Sequence, residues 1–169
     1  RKKETKSNLK ASFPMVWAIV ILIIGVDRIT KIFLNTHLSL HQRVPVIKNF
    51  LYLTLVHNRG AAFGILKNQI PLFIAASIVA IVLLIVHLKA ARLAAGKITL
   101  AGLALGLILA GAVGNLIDRI FLGYVIDFLD VGFWPVFNVA DSSITIGAGL
   151  LAYTLVKRPR PESPANPST

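Results

Sequence analysis

The chain has 169 residues, 56% of them hydrophobic and only 15% charged, no cysteine, and a formal charge of +11 at pH 7, with a mean hydropathy of +0.75. Such a chain is no ordinary soluble enzyme, and without Cys it holds no disulfide, Cys-ligated zinc, iron-sulfur cluster or thiol nucleophile. The 18 Lys+Arg are set around long apolar runs, which points to a membrane rather than to nucleic acid.

Four segments approach or reach the roughly 20 residues needed to cross a hydrocarbon core. They are expected at about 14–34, 70–88, 98–117 and 139–156. Residues 1–12 form a basic segment holding Arg1, Lys2, Lys3, Lys6 and Lys10. The short loop after the second span holds Lys89, Arg92 and Lys97, and the tail holds Lys157, Arg158 and Arg160. Loops rich in Lys and Arg stay in the cytoplasm, so both termini are expected there. The outer loops are then 35–69 and 118–138. A single integral domain spans 13–156, and the Pro-rich tail at 157–169 is expected to be disordered.

Between the first two spans, Phe50 to Val56 is rich in β-formers, and Tyr124 to Leu129 is a second such run. A small sheet at the outer face follows. Asn58-Arg59-Gly60-Ala61-Ala62-Phe63 follows the first run and reads equally as a plain turn or as a close-approach loop. His37 and His41 lie four apart without a third ligand, so an interfacial turn is preferred to a metal site. In the third span, Gly102, Gly106, Gly111 and Gly114 permit close helix approach. Trp17, and Phe133 with Trp134, suit opposite interfaces.

Outside the terminal segments every acid is an Asp: Asp27, Asp118, Asp127, Asp130 and Asp141. At the helical rise, Asp27 lies roughly 20 Å from Pro14, Asp118 roughly 30 Å from Ile98 and Asp141 roughly 22 Å from Val156, all in the outer third of the bilayer. Acids held there usually face the bundle interior and serve a function. Asp118 ends the third span and Asp141 starts the fourth, so the two are expected to converge as a dyad. Asn138 reads as an N-cap with Asp141 in the first turn, whereas Asp118 lies at a helix C-terminus. The expectation is an ionised Asp141 acting as base and a protonated Asp118 acting as acid. In the bland alternative Asp141 is a cap and Asp118 the partner of Arg119. Asp27 and Lys31, four apart, read first as an intrahelical ion pair, and alternatively as positioning a substrate or the loop above. Ser142 or Ser143 with Lys31 as base is a further alternative, weakened by Asp27, which keeps the ammonium charged.

Gly114-Asn115-Leu116-Ile117-Asp118-Arg119, Val125-Ile126-Asp127-Phe128 and Phe137-Asn138-Val139-Ala140-Asp141-Ser142, with Asp27-Arg28-Ile29-Thr30-Lys31 and the Asn58 motif, closely resemble the bacterial lipoprotein signal peptidases, or signal peptidase II. The resemblance covers about 14–156. It implies an all-α membrane protein, a four-transmembrane-helix bundle with a small β-sheet and a short interfacial helix on the periplasmic face. The activity implied is that of an aspartic endopeptidase of the bacterial cytoplasmic membrane, its site near the periplasmic face. It removes the signal peptide from diacylglyceryl-modified prolipoproteins, cutting on the N-terminal side of the lipidated Cys. The catalytic pair falls on Asp118 and Asp141, with Asp27, Lys31, Asn58, Gly60, Asn115, Arg119, Asp127, Asn138 and Ala140 in support. The implied partners are the prolipoprotein, membrane lipid and globomycin-type inhibitors; no metal, cofactor or nucleic acid is expected, and the working unit is expected to be a monomer. A proton-coupled transporter would want acids spread through the membrane's depth, and these gather on one side. A carboxylate-held Mg²⁺ acting on lipid phosphates is the other rival, using Asp27, Asp118, Asp127 and Asp141.

Overall fold

The structure, a computed structural model, describes residues 2–60, 68–95 and 99–157, with side chains in 15–60, 68–90 and 99–157. The tail beyond 157 and Ala61, Ala62 and Phe63 lie outside the described residues, as do the side chains of the basic segment. The elements run α1 (Lys2–His37), β1 (Arg43–Ile47), β2 (Leu51–Asn58), α2 (Ile70–Ala95), α3 (Leu100–Leu122), β3 (Val125–Asp130) and α4 (Val139–Val156). Three helices contain runs long and apolar enough to cross a membrane: Ile70–Ala90, Leu100–Leu122 and Val139–Val156. In the second half of the continuous α1, Asp27, Arg28 and Lys31 break the apolar run. Among the described residues no separate short helix lies between α1 and α2.

Local chemistry sets the ends. Thr99 caps α3, its Oγ1 accepting from Gly102 N at 3.0 Å. Gly123, at φ 73°, ends α3 in the left-handed conformation that glycine adopts without a Cβ clash. This end falls five residues beyond the expected one, so Asp118 sits a full turn inside the helix rather than at its terminus. The argument that a helix C-terminus keeps Asp118 neutral therefore loses its basis.

At one level Val16, Val20, Leu88, Leu109 and Ala110 form an apolar core shared by α1, α2 and α3. At the other level the packed groups are polar. The glycines bring α3 onto its neighbours. A Cβ on Gly106 would lie 2.8 Å from Val16, and one on Gly114 would lie 2.8 Å from Asp27 Oδ2. On α4, a Cβ on Gly147 would meet Ala104 O at 2.7 Å, and one on Gly111 would run into Ala140 O. Because backbone cannot yield as a flexible side chain can, Gly111→Ala and Gly147→Ala should each destabilise by about 1–3 kcal/mol. Gly149, with nothing within 4 Å of such a Cβ, should accept Ala with a gain of a few tenths of a kcal/mol. Thermal melting in detergent checks this contrast; equal melting temperatures for Gly147→Ala and Gly149→Ala would contradict it.

The sheet is antiparallel in the order β1-β2-β3. β2 pairs with β3 through Tyr52↔Asp130, Leu53↔Leu129, Val56↔Asp127, His57↔Ile126 and Asn58↔Val125, with an irregularity between Leu53 and Val56. The strands lie within two residues of the expected runs at 50–56 and 124–129, with β1 added at the edge. Arg43 Nε holds Asp130 at 2.9 Å, and Asp130 also accepts from Gly132 N at 2.7 Å. His57 stacks on Tyr124 at 4.1 Å and lies 2.9 Å from Asn35 Oδ1. The end of β2 is thereby tied to α1 and to the α3–β3 turn, next to Asn58.

Candidate active site

The polar residues divide into two clusters. The first joins α1 to α3. Lys31, fully buried, reaches Asp27 Oδ2 at 2.9 Å and Asp118 Oδ2 at 2.8 Å, and donates to Asn115 Oδ1 at 3.0 Å. An ammonium has three donors, and these three contacts use them. Arg28 reaches Asp118 Oδ1 at 2.7 Å and Asp27 Oδ2 at 3.0 Å, and Gly114 O at 3.2 Å. The remaining oxygen of Asp27 accepts from Ala140 N at 3.0 Å, tying α1 to the first turn of α4. Asp118 Oδ2 also accepts from Ile126 N at 3.2 Å. Two acids and two cations thus close on one another, with Asp27, Lys31 and Asp118 buried and Arg28 partly exposed.

The intrahelical Asp27–Lys31 pair is present and extends to Asp118. Asp118 is paired with Arg28 and Lys31, not with Arg119, its neighbour in sequence, which a helix turns to another side. Lys31 is fully buried among these partners. It does not meet a serine: Ser142 Oγ donates to Asn138 O at 2.9 Å and Ser143 Oγ to Ala140 O at 2.8 Å.

The second cluster faces a cavity of about 230 Å³ at the junction of β2, β3, α3 and α4. Asp127 and Asp141 both line it, with Asn58, Gly60, Asn115 and Arg119 among its other lining residues; Asp118 does not. Each carboxylate is held by asparagines. Asp127 accepts from Asn138 Nδ2 at 2.7 Å and Asn58 Nδ2 at 2.9 Å. Asp141 accepts from Asn115 Nδ2 at 2.7 Å and Asn138 N at 3.3 Å. The amide directions are fixed because each Oδ1 meets a group that can only donate: Gly60 N for Asn58, Asp141 N for Asn138 and Lys31 Nζ for Asn115. Asn138 and Asp141 form a reciprocal capping box at the start of α4, as the cap reading expects.

Burial pushes the Asp127 carboxyl up to about 7, and the charge of Asp141 adds to that; donation from Asn58 and Asn138 and the charge of Lys31 act against it. Two carboxylates that share a low-dielectric site do not ionise together easily. The expected convergence of Asp118 with Asp141 does not match this arrangement. Asp141 stands at the cavity, but the carboxylate beside it there is Asp127, and both oxygens of Asp118 are taken by cations.

Arg28 has no place in the sequence expectation, although an unmatched cation between two intramembrane ionisable residues was its signal. Asp127 was visible as support only. An Asp amid β-formers in Val125-Ile126-Asp127-Phe128 is itself unusual for a strand. His37 Nδ1 donates to Phe33 O at 2.7 Å, and among the described residues no group of three potential metal ligands exists.

Fold and site together define an integral membrane protein whose paired carboxylates lie at one end of a helical bundle, beneath a small sheet. A family profile described as signal peptidase (SPase) II matches residues 19–157. The lipoprotein signal peptidase of Halothermothrix orenii is 46% identical over 137 residues, spanning 81% of this chain and 92% of the relative. That of Syntrophotalea carbinolica is 44% identical over 148 residues, spanning 83% and 90%. A solved bacterial membrane enzyme, determined by the in meso method, matches with a TM-score of 0.81 at 30% identity, covering 91% of this chain and 96% of the other. The chain belongs to the signal peptidase II family and is a peptidase of the membrane.

Proposed function

We propose that the protein is an aspartic endopeptidase that removes the signal peptide from diacylglyceryl-modified prolipoproteins, cutting on the N-terminal side of the lipidated Cys, with Asp127 and Asp141 as its catalytic pair. The observation that carries this is that these two carboxylates line one cavity. Lipoprotein signal peptidase relatives support the substrate class.

In this reading Asp141, at the positive end of α4 and held by donors, is the ionised base that takes a proton from water. Asp127, protonated near neutrality, donates to the carbonyl oxygen as the tetrahedral intermediate forms. The proton taken by Asp141 then passes to the departing amine as the C–N bond breaks, and one hydroxyl of the intermediate returns its proton to Asp127 as the C=O bond re-forms. Asn58, Asn115 and Asn138 hold both carboxylates in place. Asp27, Arg28, Lys31 and Asp118 fix the helices that carry them. Gly60 and Ala140 allow close approach, and Arg119 supplies positive charge at the rim. The four helices cross the cytoplasmic membrane with both termini inside and the site toward the periplasm, an orientation supported by the distribution of Lys and Arg. The unit is a monomer, open to inhibition by cyclic peptides of the globomycin type.

The test is cleavage by the purified protein in lipid vesicles. The diacylglyceryl-modified precursor should be cut before its Cys, the unmodified precursor should not, and EDTA should leave the rate unchanged. Loss of cleavage in EDTA would instead favour the carboxylate-held Mg²⁺. The pair also sets a pH dependence. Activity should fall as pH rises through about 7, where Asp127 loses its proton. The same carboxyl has a folded-state pKa above its ordinary 3.8, so the native state holds the proton that the unfolded chain releases. Its contribution to stability is present at low pH and declines as pH rises toward 7. Melting curves from pH 4 to 8 should show this slope in the wild type and a shallower one in Asp127→Asn; parallel slopes would contradict it.

A further inference from the structure

A second space, an apolar groove of about 400 Å³, lies beside the cavity and is lined by Phe133, Trp134, Phe137 and Ile146 together with the first turns of α4. Trp134, Phe137, Asp141 and Thr145 line both spaces, so the groove begins where the cavity ends, at Asp141. Its hydroxyls are already engaged within α4. Ser142 Oγ donates to Asn138 O and Thr145 Oγ1 to Asp141 O, each at 2.9 Å. The surface offered is therefore hydrocarbon, and Asp141 is the one charged group among the lining residues. Phe133 is 81% exposed and Ile146 58%, so the groove is open on its outer side.

We propose that this groove is an acyl-chain subsite, seating one chain of the diacylglyceryl group carried by the Cys next to the scissile bond. This rests on the peptidase reading above. When Asp141 is at the bond, the lipid is one residue away, and this groove is an apolar space continuous with Asp141. An apolar side chain of the signal peptide is the competing occupant. Lipid tails are as apolar as the groove, so moving a chain from bilayer to groove gains little affinity. What the groove supplies is position: a seated chain holds the adjacent carbonyl over the carboxylate pair. The effect belongs in kcat, where misplacement by about 1 Å costs about 10²-fold.

The experiment is a cycle between groove and lipid, run in phosphatidylcholine vesicles with synthetic precursor peptides bearing dihexadecanoyl or dihexanoyl glyceryl-cysteine. Ile146→Trp fills the groove and Phe133→Ala opens it; melting curves establish that each variant is folded. Each substitution should lower kcat about ten- to a hundredfold on the long-chain peptide. On the short-chain peptide, already slow with the wild type, the same substitutions should change kcat by less than about threefold, because two changes acting through one contact do not multiply. Equal losses on both peptides would assign the groove to the signal peptide instead, and no loss on either would leave it without a role in seating substrate; both overturn the proposal. A wild type that cuts both peptides while the losses multiply overturns the subsite alone. One that cuts neither overturns the peptidase reading and the subsite with it.

Discussion

Asp127→Asn should lower kcat by about 10²–10⁴-fold, the range over which a positioned general acid contributes, while the protein remains folded. The substitution keeps the size of the side chain but ends its exchange of a proton. One of the two donors, Asn58 or Asn138, then meets an amide N–H₂ instead of an oxygen, at a loss of about 1 kcal/mol. Against this, the partial charge that Asp127 carries beside Asp141 near pH 7 is removed. The two effects offset each other, so the melting temperature should stay near that of the wild type. Asp141→Asn should be equally inactive and somewhat less stable, because Asp141 also completes the capping box with Asn138. Near-normal turnover by purified, folded Asp127→Asn would dismiss the pair.

The second large effect falls on stability. Lys31→Met removes the ammonium that serves Asp27, Asp118 and Asn115 at once. Arg28 alone then faces two buried carboxylates, and breaking such a buried pair costs about 3–5 kcal/mol. Asp118→Asn should be destabilised to a similar degree, since Lys31 and Arg28 each lose a charged partner. Combining Lys31→Met with Asp118→Asn removes one charge of each sign and should recover part of the loss, because replacing a whole buried pair is often nearly neutral. Chemical denaturation or thermal melting in detergent measures all three. A double variant no more stable than the sum of the singles predicts would mean that the two side chains do not act as a pair.

Most of the architecture could be read from the residues because the bilayer simplifies the code. Long apolar runs gave α2 and α4 their starts, and the β-formers at 50–56 gave the central strand. The positions of α3's end and of the carboxylate that shares a cavity with Asp141 were harder for the same reason. Leu116 to Leu122 is helical in pattern up to Gly123, so the ionisable residues Asp118 and Arg119 do not mark the boundary; the left-handed glycine does. With the helix extended, Asp118 turns toward α1, where Arg28 and Lys31 wait. That pairing joins residues 90 positions apart and leaves no local signature. Asp127, by contrast, reaches the cavity only because β3 pairs with β2 in a register that sets it opposite Val56. Sequence spacing suggested that two acids meet at the outer end of the bundle, and Asp141 was one of them. Which of Asp118 and Asp127 was the other depended on where each side chain found cations. Residues 61–67, which carry the rest of the Asn58 motif, lie outside the described part of the structure.

The proton itself gives the most direct test. Infrared difference spectra of the purified protein in vesicles, recorded between pH 5 and 9, report the C=O stretch of a protonated buried carboxyl. A shared proton on Asp127 predicts a band that fades as pH rises through about 7, is missing in Asp127→Asn and persists in Asp118→Asn under conditions where that variant is folded. A band that survives in Asp127→Asn and vanishes in Asp118→Asn would return the acid to the ion-paired cluster and contradict the account.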